Sequence, residues 1–246
     1  MRRYPVKAVP TAYDLDSIRK RLTSRLPGPS PLESSPDPAN APDFNAIARE
    51  AGLGAAVSAA EVQVAAAARG DNPRRAAVAA VLRPRGDDTE VLLIRRAERE
   101  GDPWSGHMAL PGGHQEPRDA DLRATALRET LEEVGLDLSE HEYLGQLDEL
   151  PATIRGRRVG ISIAPHVFAL RAEPRLRPNY EVAEIVWGEL GPMARGERDY
   201  IKEWRYEGEL RRVPAFRVNG HVVWGLTHHI LGSLFEVLEW RPRAAL

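Results

Sequence analysis

The spacing of apolar residues divides the chain near residue 70. From Arg74 onward, "RRAAVAAVLR" and "TEVLLIRRA" are short apolar runs joined by the turn signal "PRGDD". Runs of this length and β-branched content predict two strands. A loop follows, "EREGDPWSGHMALPGG". The period then changes: Leu127, Leu131 and Val134 recur at helical spacing, and Ala120 and Ala124 extend the stripe backwards. This predicts a helix over roughly 119–135, stopped by Gly135. "EYLGQLDEL" and "VGISIAPHVFAL" read as further strands around the basic loop "IRGRR". "EVAEIVWGEL" mixes apolar and acidic positions near a turn. "WRYEGELRRVPAFRVNGHVVWG" reads as strands with turns at Glu207-Gly208 and Asn219-Gly220, and "LTHHILGSLFEVLEW" as a closing amphipathic helix. A mixed sheet between helices results: an α/β fold, arranged as an α/β/α sandwich.

The first 70 residues have a different texture. Residues 12–26 predict a short helix capped by Asp14 or Asp16, with Leu15, Ile18 and Leu22 on one side. "PGPSPLESSPDPANAPD", 27–43, carries six prolines and reads as an extended linker. "FNAIAREAGL" and "SAAEVQVAAAA" look helical. The expected organisation is therefore an N-terminal helical, proline-rich extension, 1–70, and a domain, 71–246. The extension packs on the domain, caps it, or contributes to a homodimer.

Composition narrows the function without naming it. The 246 residues carry a formal net charge of -2, with 42% hydrophobic and 28% charged residues. Neither nucleic acid nor an anionic membrane surface is implied as a partner. The absence of cysteine excludes disulfides, a thiol nucleophile and thiolate metal sites. "MRRYPVKAVPTAYDLDSIRK" has no apolar core to act as a secretory signal, and no apolar run approaches the length of a membrane span. A soluble cytoplasmic protein is the expectation.

The chemistry concentrates in "LRETLEEVGL", 127–136. At about 100° per residue on an α-helix, Glu129, Glu132 and Glu133 fall within roughly 100° of one another. Like charges this close raise each other's pKa unless a cation compensates. Clustered carboxylate oxygens suit a hard divalent cation such as Mg²⁺. A merely solvated acidic face is the competing reading. What precedes the helix decides between them.

"GGHQEPRDADLRATALRETLEEVGL", Gly112 to Leu136, resembles the signature box of the Nudix hydrolases: Gly, five residues, Glu, seven residues, then Arg-Glu-apolar-X-Glu-Glu-X-Gly-apolar. Arg128, Glu129, Glu132, Glu133, Gly135 and Leu136 match, with Thr130 at the apolar position. In the first half, counting five residues from Gly113 lands on Asp119, and eight residues separate it from Arg128. The first acid of the box is then Asp119 in a longer loop, or Glu116; Asp119 is preferred. "LLIRRA" followed by "GHMALPGG", and the late "VWGLT", are similar to the coenzyme A pyrophosphatase branch. The likeness covers about 75–240.

The resemblance implies a Nudix-type sandwich and a Mg²⁺- or Mn²⁺-dependent pyrophosphohydrolase. Glu129, Glu132 and Glu133 would be metal ligands, with Gly113 in the loop whose backbone approaches metal or phosphate. Arg128 would pair with the first acid and fix loop against helix. The general base would be Glu129, or a later acid, Glu181 or Glu184. Arg96, Trp104 and Glu181 are candidate substrate contacts; Trp104 either stacks on an adenine or caps the core. Arg155, Arg157 and Arg158 meet a terminal phosphate or form a solvated hairpin tip. His228-His229 lacks partners at zinc spacing and reads as packing or surface. The substrate would be a small nucleotide, a nucleoside diphosphate linked to another moiety, with coenzyme A or a derivative favoured. ADP-ribose or a nucleotide sugar is the alternative within enzymes, and a catalytically silent ligand sensor the alternative outside them.

Overall fold

The computed structural model describes residues 14–25, 74–102, 104–154, 157–206 and 209–240, the side chains of 25, 153–159 and 204–209 excepted. The predicted linker, the two Ala-rich helices, Arg155 and the Glu207-Gly208 turn lie outside them, as do the side chains of Arg157 and Arg158.

Eight strands form one mixed sheet. Strand β1, Arg74–Arg85, lies near its centre. It pairs antiparallel with β2, Asp88–Arg96, and parallel with β7, Arg157–Ala169. A strand in that position is covered on both faces, which explains its nearly continuous apolar run. Ala77, Ala79 and Val81 face one core and Ala80 and Leu82 the other. Beyond β2 come β3, Met108–Ala109, and β8, Val182–Glu189. Against β7 lie β5, Glu142–Gln146, and β6, Leu150–Ile154. The short β4, Gly112–His114, pairs with β1.

Helices cover both faces, giving the expected α/β sandwich. On one side, α1, Leu15–Arg25, buries Leu15, Ile18 and Leu22 in the larger core. Asp14, not Asp16, caps it: its carboxylate accepts from the Ser17 N–H at 2.9 Å. Arg19 reaches Glu142 across 2.8 Å, and Arg21 donates to the Leu238 carbonyl, so this helix is tied to the domain. The same core receives the short α3, Leu190–Ala194, and α4, Gly225–Val237. The other side holds α2, Leu122–Val134. No helix among the described residues is long and apolar enough to cross a membrane.

Two features depart from the sequence reading. The late strands do not join the main sheet: β9, Asp199–Tyr206, β10, Glu209–Val218, and β11, His221–Trp224, form a separate three-stranded sheet. Asn219 and Gly220 make the expected tight turn within it, both at positive φ, 48° and 86°. Second, α2 is rotated relative to the predicted stripe. Leu131 is 49% exposed, Leu127 only partly buried, and Ala120 precedes the helix. The buried line is Leu122, Ala126, Thr130 and Val134, joined by Glu133. Small residues on this line face the alanines of β1, and Thr130 satisfies its hydroxyl on the Ala126 carbonyl at 2.7 Å.

Candidate active site

The rotation of α2 makes the site. Asp121 caps the helix start by accepting from the Ala124 N–H, and Gly135 ends it at φ 68°. Between these stops the three glutamates occupy different environments. Glu133 is 3% exposed, pointing beneath β4, where the Gly112 N–H donates to its Oε2 at 2.9 Å. Burial pushes its carboxyl up to about 8; the Gly112 hydrogen bond opposes the shift and the neighbouring Glu129 adds to it. Glu129 is part-buried, and burial also raises its pKa, against the pull of Arg128. Glu132 is 46% exposed and held by Arg118 at 3.0 Å and Arg128 at 3.1 Å.

Two glycines allow this approach of helix and strand. Gly112 has φ 153°, and a Cβ there would lie 2.2 Å from the Ala77 carbonyl oxygen. A Cβ on Gly113 would lie 2.4 Å from the Glu129 carboxylate. Gly112→Ala is expected to cost about 3 kcal/mol, because the obstacle is β1 backbone rather than a movable side chain. Thermal denaturation checks this; a Tm within 2 °C of wild type, roughly half a kcal/mol, contradicts it.

Arg128 binds the arrangement together. Its Nε and Nη2 make a bidentate pair with Asp119 at 2.9 Å each, and Nη2 also donates to the His114 carbonyl at 2.9 Å. Nη1 reaches Glu129 and Glu132. Asp119 is 4% exposed. Burial alone would raise its pKa, but hydrogen bonds from Arg128, the Glu116 N–H and the Thr125 hydroxyl outweigh it, leaving the carboxyl below its ordinary value. Glu116 faces outward, paired with Arg118 and 3.8 Å from Arg128. Asp119 is thus the structural partner of Arg128.

The donor set fits a hard divalent cation: carboxylate oxygens on one helix, two of the carboxyls raised in pKa by burial, packed close against the glycine backbone of β4. Among the described residues no three carboxylate or imidazole groups already converge as a ligand cluster. Arg128 instead engages Glu129 and Glu132. A bound ion would take those oxygens in exchange for the guanidinium.

The other candidates separate. Arg96 lies within electrostatic reach of Glu133, and Asp102 holds it at 2.8 Å. Arg95 points elsewhere, to Glu184 at 3.3 Å. Glu184 also meets His221 at 3.1 Å, whereas Glu181 pairs with Arg99 and adds its charge to that felt by Glu133. Trp104 donates its backbone N–H to Asp102 and packs its ring on the small cluster of Ala76, Ala152 and Ile161. His228 packs on Phe216 at 4.4 Å between ring centres. Sequence reasoning passed over His114, whose pKa burial pushes down to about 4, and Asp102. No spacing rule marks either, because their partners come from separate loops.

Comparison with known proteins agrees with this geometry. A family model described as the NUDIX domain matches residues 73–206. The Nudix hydrolase NudL of Photorhabdus laumondii, itself uncharacterized, is 31% identical over 170 residues, 69% of this chain and 87% of that one. The chain belongs to the Nudix family. It is a Nudix hydrolase, an enzyme acting on pyrophosphate bonds. The mitochondrial coenzyme A diphosphatase NUDT8 of Mus musculus is 32% identical over 170 residues, 67% of this chain and 79% of that one. An uncharacterized protein of Schizosaccharomyces pombe is 44% identical over 107 residues, 42% of this chain; the chain spans 32% of that relative's length.

Proposed function

We propose that the protein hydrolyses, with Mg²⁺ or Mn²⁺, the pyrophosphate bond of a nucleoside diphosphate linked to another moiety, and that coenzyme A or a derivative is that substrate. One observation carries the metal dependence. Two carboxyls of α2 are raised in pKa, Glu133 to about 8, and no lysine or arginine pairs with Glu133 among the described residues. A divalent ion bound beside it would hold that carboxyl ionised. The coenzyme A reading is supported by "LLIRRA" and "GHMALPGG", and by the activity printed in the name of the mouse relative.

Glu129, Glu132 and Glu133 would hold the metal, with the backbone of Gly113 beside them. A divalent ion held there would supply charge neutralisation at the phosphate oxygens and a more acidic water. The chain's own groups do the rest. Arg128 fixes loop against helix through Asp119 and the His114 carbonyl. Arg96, held by Asp102, offers a guanidinium to the phosphates at the mouth of the site. Glu181 is favoured over Glu184 as an acid entering from the later loop, since its charge is felt by Glu133, whereas Glu184 turns to Arg95 and His221. Glu129 remains the alternative base on the helix. Cytoplasmic placement and a homodimer belong to the same proposal.

The test is a substrate panel with Mg²⁺, products identified by mass spectrometry: coenzyme A, ADP-ribose, nucleotide sugars and dinucleoside polyphosphates. Adenosine 3',5'-bisphosphate released from coenzyme A as the fastest turnover supports the reading. Faster cleavage of ADP-ribose or a sugar nucleotide keeps the reaction and discards the substrate. Binding without cleavage favours a sensor. In the same assay, Glu132→Gln is expected to lower kcat more than a hundredfold while moving Tm little, because the side chain is half exposed and buries no core. Unchanged turnover removes Glu132 from the metal set.

A further inference from the structure

Outside the carboxylate face, a second group of polar side chains adjoins Arg96. Arg96 ends β2, and its backbone N–H donates to the His107 carbonyl at 3.0 Å. The His107 ring lies 4.8 Å from that of Trp224, the last residue of β11. The ammonium of Lys202, on β9, sits 4.7 Å from the Trp224 ring centre. From the acidic helix outward, the charge of Arg96 acts on Glu133, the Arg96 backbone bonds to His107, and the His107 ring and the Lys202 ammonium both meet Trp224. The charges of Arg96, Lys202 and Asp102 all act on His107, whose burial chiefly keeps it neutral.

The cations here are not equivalent. Arg95, Arg96, Arg99 and Arg128 are each matched by a carboxylate. Lys202 has no carboxylate partner among the described residues; its ammonium lies over the face of Trp224. The aromatic ring fixes the ammonium without neutralising it. Trp224 is also occupied by His107 and Lys202, so it is poorly placed to stack a base. What the arrangement offers is a cation without a carboxylate partner among the described residues, set on the second sheet and linked toward the acidic face through His107 and Arg96.

We infer that Lys202, seated on Trp224 and His107 and followed inward by Arg96, is a subsite for a phosphomonoester carried by the substrate apart from the scissile pyrophosphate. This rests on the coenzyme A reading, and deepens it. Coenzyme A carries such a group, the 3'-phosphate on its ribose; ADP-ribose and nucleotide sugars do not. A phosphomonoester bears nearly two charges at neutral pH and is met well by a lysine point charge.

The experiment compares coenzyme A with its form lacking the 3'-phosphate, dephospho-coenzyme A, as substrates of the full chain with Mg²⁺. The ratio of their kcat/KM values is the readout. Wild type is expected to prefer coenzyme A. Lys202→Met keeps the apolar stem on Trp224 and removes the charge; it is expected to cut the preference about tenfold, through KM. Lys202→Arg is expected to restore most of it. A preference unchanged in Lys202→Met, or an equal loss on both substrates, overturns the subsite while leaving the substrate reading intact. Wild type that hydrolyses neither compound overturns the substrate reading, and the subsite with it.

Discussion

Arg128→Met is expected to destabilise the protein by about 4 kcal/mol at pH 7, a fall in Tm of roughly 8–16 °C. Methionine keeps the length and apolar stem. What it removes is the partner of a carboxylate that is 4% exposed. Asp119 then keeps the Glu116 N–H and the Thr125 hydroxyl but has no paired cation among the described residues. The same change leaves Glu129 and Glu132 facing each other without the guanidinium between them. Acid should narrow the deficit. In wild type the Asp119 pKa lies below its unfolded value of 3.8, so the pair stabilises above that value and its contribution is lost as pH falls through the folded pKa. In the variant, burial dominates and raises the pKa of Asp119, so protonation relieves the strain as pH drops. Melting curves of both proteins between pH 4 and pH 7.5 test this. A deficit that does not shrink toward acid would show that Asp119 is not the residue left unpaired.

That prediction draws on one position the sequence located and one it could only bracket. The Arg-Glu-X-X-Glu-Glu spacing marks Arg128 without any structure. Whether its partner is Asp119 or Glu116 depends on how the loop 115–120 folds back, and the loop is one residue longer than the family pattern. Asp119 turns inward because its carboxylate also closes a turn onto the Glu116 N–H. Strands with strong local signals were legible: the β1–β2 pair from two apolar runs, and the β10–β11 hairpin from Asn219-Gly220. The split into two sheets was not, since period-two patterning says which residues alternate and nothing about which sheet they join. The rotation of α2 escaped for a related reason. Leucine at 127 and 131 outweighs threonine and alanine on any hydropathy count. Yet close packing against the alanines of β1 selects the small residues, Ala126 and Thr130, and leaves Leu131 in solvent.

The burial of Glu133 is the sharpest consequence of that rotation, and it yields an outcome with opposite signs in two measurements. Glu133→Gln is expected to lower kcat about a thousandfold with Mg²⁺, since an amide would replace the oxygen proposed to hold the ion. In metal-free buffer the same variant is expected to melt higher than wild type at alkaline pH. The folded pKa of Glu133 is raised to about 8, so its protonated form is the one the fold accommodates. Its stabilising contribution is complete below the unfolded value of 4.5 and is lost as pH rises through 8. Glutamine does not titrate, and its side-chain oxygen can still accept from the Gly112 N–H, so it avoids that loss. At pH 9 in EDTA the gain should reach about 5 °C, and at pH 5 the two proteins should melt together. Adding Mg²⁺ should reverse the order at pH 9 if the proposed metal site is right, because the ion would then stabilise wild type through its carboxylates and have less to bind in the variant. A structural carboxylate satisfied by its hydrogen bond alone would show neither the alkaline gain nor the reversal. A ligand waiting for its ion would show both.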